Sequence, residues 1–227
     1  MIDFHCHILP QMDDGCKDVD ESKKLWDMLR AQGVTTVAAT SHFYPTNEAP
    51  EDYLRRREQA AAMLPDSMRA NIRLGAEVAY FAGISNCDSV IPLQLEGTRM
   101  LLVEMPFTDW NTRIIEDICA IPTQLGLTPV LAHVDRYRSQ FSKYFHELAC
   151  NDVLFQCNAE AFQKGFSGRW AIGQLKKGLI HFLGSDAHNT TGRPPKLDQA
   201  TQIIEKKLGE DFLLQFQQET RELLGEG

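Results

Sequence analysis

The sequence predicts an α/β fold, a distorted TIM-like (β/α)7 barrel in a single domain. Short strand-like runs rich in apolar and β-branched residues alternate with amphipathic helical stretches from end to end, the pattern of a mostly parallel sheet with helices outside it. Seven such strands fit into 227 residues without an internal repeat, a low-complexity tract or a Gly/Ser linker. That number of short strands in one chain favours a closed or nearly closed barrel over an open doubly wound sheet.

The elements follow in order. Ile2–Cys6 reads as the first strand, and Asp20–Gln32 as a helix with Leu25, Met28 and Leu29 on one stripe and Gly33 as its stop. Val34–Thr40 is the second strand. Glu51–Met63 is a helix whose run Arg55-Arg56-Arg57 reads as a solvated face or a subunit contact. Ile72–Tyr80 and Met100–Glu104 are the third and fourth strands, and Asn111–Leu125 is a helix that Pro122 bends near its end. Thr128–His133 is strand five, Gln140–Ala149 a helix, Val153–Asn158 strand six, Ile172–Lys177 a helix and Leu179–Ser185 strand seven. Leu197–Leu208 and Glu210–Leu224 close the chain as helices divided by Gly209.

Composition narrows the function. With 43% hydrophobic and 24% charged residues the chain can bury a large core. A formal net charge of −8 disfavours nucleic acid as a partner, because such binding rests on Lys and Arg neutralising phosphates. No apolar run is long enough for a membrane span, and Asp3 and His5 come too early for a signal peptide. Six cysteines without CxxC spacing suggest free thiols in a reducing cytoplasm. None has an arginine six positions on, where Met12, Ser22, Leu93, Leu125, Gln156 and Gln163 stand, so thiol-dependent phosphatase chemistry is unsupported. A P-loop lysine motif and Gly-x-Gly-x-x-Gly are also absent.

The polar residues fall at strand ends. Strand alternation directs Asp3, His5 and His7 to one face, and Asp13 and Asp14 follow within a few residues. His42 lies just beyond strand two, Glu77 near the end of strand three, and Glu104 and His133 close strands four and five. Asp186 and His188 follow strand seven. All sit at the carboxyl ends of strands, the rim where barrel active sites gather. Imidazoles and carboxylates without cysteine suit Mn²⁺, Fe²⁺ or Zn²⁺, and nine ligands are too many for one ion. Asp3 reads as orienting a ligand imidazole, and Asp13 and Asp14 compete for one ligand position. His146 and His181 read as structural.

His5-Cys-His7, Asp13-Asp14-Gly15, Ser41-His42, Glu77, Glu104, His133 and Ser185-Asp186-Ala-His188-Asn together resemble the PHP (polymerase and histidinol phosphatase) superfamily. The opening Asp-Phe-His-Cys-His-Ile-Leu-Pro and the late Ser-Asp-Ala-His-Asn-Thr-Thr-Gly-Arg-Pro-Pro look like its CpsB/CapC branch, bacterial manganese-dependent protein-tyrosine phosphatases. The resemblance runs from Asp3 to Pro195. It implies one phosphatase domain over 1–227 and up to three divalent ions, Mn²⁺ first, with Fe²⁺ or Zn²⁺ as alternatives. His5, His7, Glu77 and Asp186 would hold the first; Glu77, Glu104 and His133 the second; Asp14, His42 and His188 the third.

The resemblance also implies phosphotyrosine hydrolysis by a metal-bridged hydroxide, on a protein such as a tyrosine autokinase tail controlling capsule or exopolysaccharide synthesis. Arg136 and Arg193 look like its phosphate-clamping arginines, although His133-Val-Asp-Arg136-Tyr departs from the branch's His-Pro-Glu-Arg-Tyr. Asn158 matches the branch's Asn-Ala and either lines the mouth or caps structure. The rival readings are a small-molecule phosphatase such as histidinol-phosphatase, a phosphodiesterase, and a binding protein with a vestigial metal site.

Overall fold

The computed structural model describes residues 1–163 and 165–226. Its strands are β1 (Ile2–Cys6), β2 (Thr36–Ala39), β3 (His42–Phe43), β4 (Ile72–Leu74), β5 (Glu77–Ala79), β6 (Met100–Glu104), β7 (Thr128–Leu131), β8 (Leu154–Asn158) and β9 (Phe182–Gly184). Its α-helices are α1 (Val19–Ala31), α2 (Pro50–Ala62), α3 (Asp66–Arg69), α4 (Thr112–Leu125), α5 (Arg138–Ala149), α6 (Phe166–Lys176), α7 (Leu197–Leu208) and α8 (Glu210–Leu223).

Sequence chemistry sets several of these boundaries. The Asp18 carboxylate accepts from Glu21 N–H at 2.8 Å and caps α1. Asn111 does the same for α4, accepting from Ile114 N–H at 3.1 Å, so it lies just outside the helix it was expected to begin. Short 3₁₀ helices at Ile84–Asn86, Asp88–Leu93, Val134–Tyr137 and Ala159–Phe162 and the short α3 carry no periodic signal and were not expected.

Every strand pairing is parallel. Two ladders, β1-β2-β4 and β3-β5-β6-β7-β8-β9, join into one curled sheet because β2 and β3 are halves of one expected strand, and β4 and β5 halves of the next. The breaks fall side by side, at Thr40–Ser41 and Gly75–Ala76, and the register survives them: Ala39 faces Leu74, and His42 faces Glu77. The Ser41 carbonyl accepts from Glu77 N–H at 3.0 Å and also from the Tyr53 hydroxyl of α2 at 2.7 Å, which ties the helix to the break. Arg57 reaches the Gly75 carbonyl at 3.4 Å and is buried, so only part of the Arg55–Arg57 run is a solvated face. The sheet closes where Cys6 bridges Ala187, with His7 N–H donating to Ala187 O at 3.0 Å and Asp186 N–H to His5 O at 2.7 Å.

Two apolar layers follow from strand alternation. Leu101 and Val103 of β6 belong to the large outer core with Ile115, Ile118 and Ile121 of α4. Met100 and Leu102 point the other way and join Ile2, Phe4, Ala38, Val130 and Phe182 in a smaller core. Phe4 and Phe182 stack there at 3.8 Å between ring centroids. On this alternation the inner face holds Leu102 then Glu104, and Phe182, Gly184 then Asp186. The filled interior supports the polar residues that sit further along the strands.

Candidate metal centre

β1 carries one residue more than β2 between its pairing points: Asp3 faces Val37, but Cys6 faces Ala39. This β-bulge breaks the alternation expected of the strand, so Phe4 belongs to the inner core while His5 and His7 also face inward. His5 Nε2 and His7 Nε2 lie 3.2 Å apart. Asp3 does not orient an imidazole. Its carboxylate accepts from the Ser185 hydroxyl at 2.6 Å, Ser185 N–H at 2.7 Å and His5 N–H at 3.3 Å, and so stabilises the bulge and the turn after β9. Burial pushes the Asp3 carboxyl up to about 6.

The adjacent aspartates divide their work. Asp13 accepts from His7 Nδ1 at 2.7 Å, His42 N–H at 2.7 Å and Gly15 N–H at 2.9 Å, which occupies both its oxygens. Burial opposes the Asp13 charge, but these bonds outweigh it and hold the carboxyl well below the usual range. Asp14 points the other way, with Oδ1 3.3 Å from His188 Nε2 and 3.6 Å from His42 Nε2. Asp14 is therefore the aspartate free to take a ligand position.

Glu77 is the centre of the cluster. Its Oε1 meets His133 Nε2 at 2.9 Å; its Oε2 lies 2.9 Å from His42 Nδ1, 3.2 Å from His5 Nε2 and 3.4 Å from His7 Nε2. Glu104 approaches His133 Nε2 at 3.4 Å. His133 was expected to close strand five, but β7 stops at Leu131 and His133 turns inward on a left-handed backbone, φ 32°. Asp186 also has a left-handed backbone, φ 51°. Non-glycine residues adopt that region rarely and at some cost in strain.

Asp186 gathers the remaining candidates. Its Oδ2 accepts from Asn158 Nδ2 at 2.9 Å and from Arg136, and its Oδ1 accepts from Arg193 at 2.9 Å. Both arginines remain partly open to solvent, so they line the approach to the cluster. His188 Nδ1 hydrogen-bonds the Asp186 carbonyl at 2.9 Å, which leaves Nε2 for Asp14 and whatever lies beside it. All nine expected ligands, both arginines and Asn158 thus lie in one connected cluster.

Its chemistry suits divalent cations. Glu77 Oε2 and His188 Nε2 are buried without a hydrogen bond, since the imidazoles around Oε2 are close but not aimed to donate. Such groups are costly unless a cation lies between them. Among the described residues, three sets bring ligand atoms within 4.8 Å of one another: His7, Asp14, His42 and His188; His5, His7 and Glu77; and His42, Glu77 and Glu104. Burial opposes the charge on Glu77, but the facing His5, His133 and His42 outweigh it and keep the carboxyl ionised. Burial opposes His133 as well, yet Glu104 and Glu77 raise it to about 9. His188 is pushed down to about 4 by burial and by His7.

Two polar partners were not singled out from the sequence, Asp13 as the support of His7 and Gln156. The latter is a fully buried glutamine inside a strand otherwise read by its apolar residues, and that incongruity was the available signal. His181 accepts from Phe155 N–H at 3.1 Å and the His146 ring lies against Phe145 at a tilt of 34°, both away from the cluster as expected. All six cysteines are free. Among the described residues, no helix is long and apolar enough to cross a membrane.

Comparison with known proteins adds a family to this geometry. Residues 1–224 match the family described as "Capsular polysaccharide synthesis, CpsB/CapC". Tyrosine-protein phosphatase CpsB of Streptococcus pneumoniae is 32% identical over 226 residues, covering 92% of this chain and 91% of that protein. Tyrosine-protein phosphatase YwqE of Bacillus subtilis is 29% identical, covering 93% and 87%. A solved structure reported for YwqE and CpsB as "unique metal-dependent tyrosine phosphatases" superposes with a TM-score of 0.80 at 25% identity, covering 100% of this chain and 95% of that one. D-hydantoinase shares the fold alone, with a TM-score of 0.53 at 15% identity over 95% of this chain and 67% of that one. The chain belongs to the CpsB/CapC family.

Proposed function

We propose that this chain is one metal-dependent phosphatase domain over 1–227 that hydrolyses phosphotyrosine on protein, and that its natural substrate is a tyrosine autokinase tail in capsule or exopolysaccharide synthesis. The observation that carries the reading is the convergence of five imidazoles and four carboxylates from separate strands on Glu77 and its neighbours, beside two arginines. His5, His7, Glu77 and Asp186 would hold a first ion, Glu77, Glu104 and His133 a second, and Asp14, His42 and His188 a third. Mn²⁺ is the ion we favour, with Fe²⁺ and Zn²⁺ suited to the same donors. Such ions supply charge for the phosphate oxygens and lower the pKa of water enough for attack near neutral pH.

The chain's own residues supply the rest. Arg136 and Arg193, on the open side of Asp186, grip phosphate oxygens through planar forks of N–H donors. Phe107, 67% exposed, stands 6.2 Å from the His133 ring, and Tyr44, 38% exposed, stands 5.2 Å from the His42 ring. These exposed aromatics favour the apolar aryl leaving group of phosphotyrosine over a polar alkyl phosphomonoester such as histidinol phosphate, the second reading. The six free cysteines fit a reducing cytoplasm as the site of action.

Turnover of a phosphotyrosine peptide and of histidinol phosphate, each with Mn²⁺, Fe²⁺ or Zn²⁺, tests the reading alongside elemental analysis of the purified chain. Metal-dependent preference for the peptide supports it. Faster turnover of histidinol phosphate, or turnover indifferent to metal, overturns it.

A further inference from the structure

We infer that Gln156 is the positioning residue that sets the tautomer of His5 and ties together three candidate ligands from separate strands; the inference rests on the metal reading above. The reasoning starts from a group with no freedom. His133 N–H can only donate, and it lies 2.6 Å from Gln156 Oε1. The amide orientation follows: its oxygen faces His133 and its NH₂ faces away. His5 Nδ1 lies 3.2 Å from the same oxygen and must therefore carry its ring proton there, leaving Nε2 as a lone pair. That Nε2 faces Glu77 and His7 in the middle of the cluster.

The other half of the amide completes the chain of assignments. Gln156 Nε2 donates to Asn158 Oδ1 at 3.0 Å, so the Asn158 amide turns its own NH₂ to Asp186 Oδ2 at 2.9 Å. A carboxylate only accepts, so the far end of the network agrees with the near end. One side chain thus touches the His5 ring, holds the left-handed backbone of His133 and reaches Asp186 through one neighbour. The sheet makes room for it: a Cβ at Gly184 would stand 2.6 Å from Gln156 Nε2 and 2.6 Å from His5 Cβ. Gln156 is fully buried, and its position opposite Phe182 in the ladder directs it into the barrel mouth rather than the helix layer.

Gln156→Leu removes all three bonds, to His133, His5 and Asn158, and Gln156→Glu keeps the acceptor for His133 and His5 while losing the donor to Asn158. The experiment measures Mn²⁺ and Zn²⁺ affinity of the full chain by titration, and the His5 tautomer by ¹⁵N resonances of the Zn²⁺-loaded wild type. The expected result is an Nδ1–H His5, a loss of about 10–100-fold in affinity for the leucine variant, and recovery of at least about fivefold by the glutamate variant. An Nε2–H His5, or a leucine variant within about twofold of wild type, overturns the inference while leaving the metal reading intact. A wild-type chain that takes up no divalent ion overturns both. Should the leucine variant fail to fold, the wild-type tautomer decides.

Discussion

His42 and Glu77 are directly opposed residues of β3 and β5, and the imidazole Nδ1 stands 2.9 Å from the carboxylate Oε2 across the ladder. Cross-strand neighbours of this kind are close without any long-range adjustment. The same carboxylate reaches imidazoles of β1 and of the turn after β7, so it is the hub on which the cluster depends.

Glu77→Gln keeps the shape and removes the charge shared by these imidazoles. We expect loss of bound metal in elemental analysis and a fall in kcat/KM on a phosphotyrosine peptide of more than about 100-fold, since both ions of the proposed pair lose their common ligand. Retained metal with retained turnover would show that Glu77 bridges nothing.

Arg136→Lys and Arg193→Lys keep the charge but lose the fork. Each is expected to lower kcat/KM by about 10–100-fold with metal content unchanged, because a point charge cannot make two parallel bonds to phosphate. Equal turnover by the lysine variants would reduce both arginines to partners of Asp186.

Phe107→Ala is expected to raise KM for a phosphotyrosine peptide by about three- to tenfold, the value of an aromatic pair worth roughly 0.5–1.5 kcal/mol. Turnover of a non-aromatic phosphomonoester serves as the control and should stay within about twofold. A matching loss on both substrates counts against an aromatic contact.

Asp117 tests stability away from the site. It accepts from the Tyr80 hydroxyl at 3.1 Å, Gly83 N–H at 2.7 Å, Ser85 N–H at 3.2 Å and the Ser85 hydroxyl. Burial opposes its charge, but these donors outweigh it and lower its pKa. A group depressed on folding stabilises fully above its unfolded value of about 3.9, and the contribution is lost as pH falls through the folded value. Asp117→Asn should therefore cost about 0.5–1 kcal/mol at pH 7, a modest figure because solvent still reaches the half-buried carboxylate and screens its charge. Urea unfolding of metal-free wild type and variant should converge as the pH is lowered from the unfolded value of about 3.9 through the depressed folded one. A constant difference across that range rules out the charge as its source.

Much of this was legible in the chain itself. Seven strand positions, the helices α1, α2, α4, α7 and α8, Glu104 at the end of its strand and Asp186 and His188 after theirs follow from local pattern, because apolar periodicity and capping residues act over a few neighbours, whereas His42 and Glu77 open β3 and β5 and His133 lies beyond β7. The motif order around His5, Asp14, His42 and Asp186 also carried the family. Tertiary structure decided what alternation could not. A bulge between Asp3 and Cys6 brings Phe4, His5 and His7 to the interior and sends Asp3 to Ser185, contrary to a regular strand. Twin breaks at Thr40–Ser41 and Gly75–Ala76 turn two strands into four. Left-handed backbones at His133 and Asp186 aim side chains that regular strands would aim elsewhere. Each is a local departure that only distant partners such as Tyr53, Ser185 and Gln156 make affordable, and no short window of sequence contains both members of those pairs.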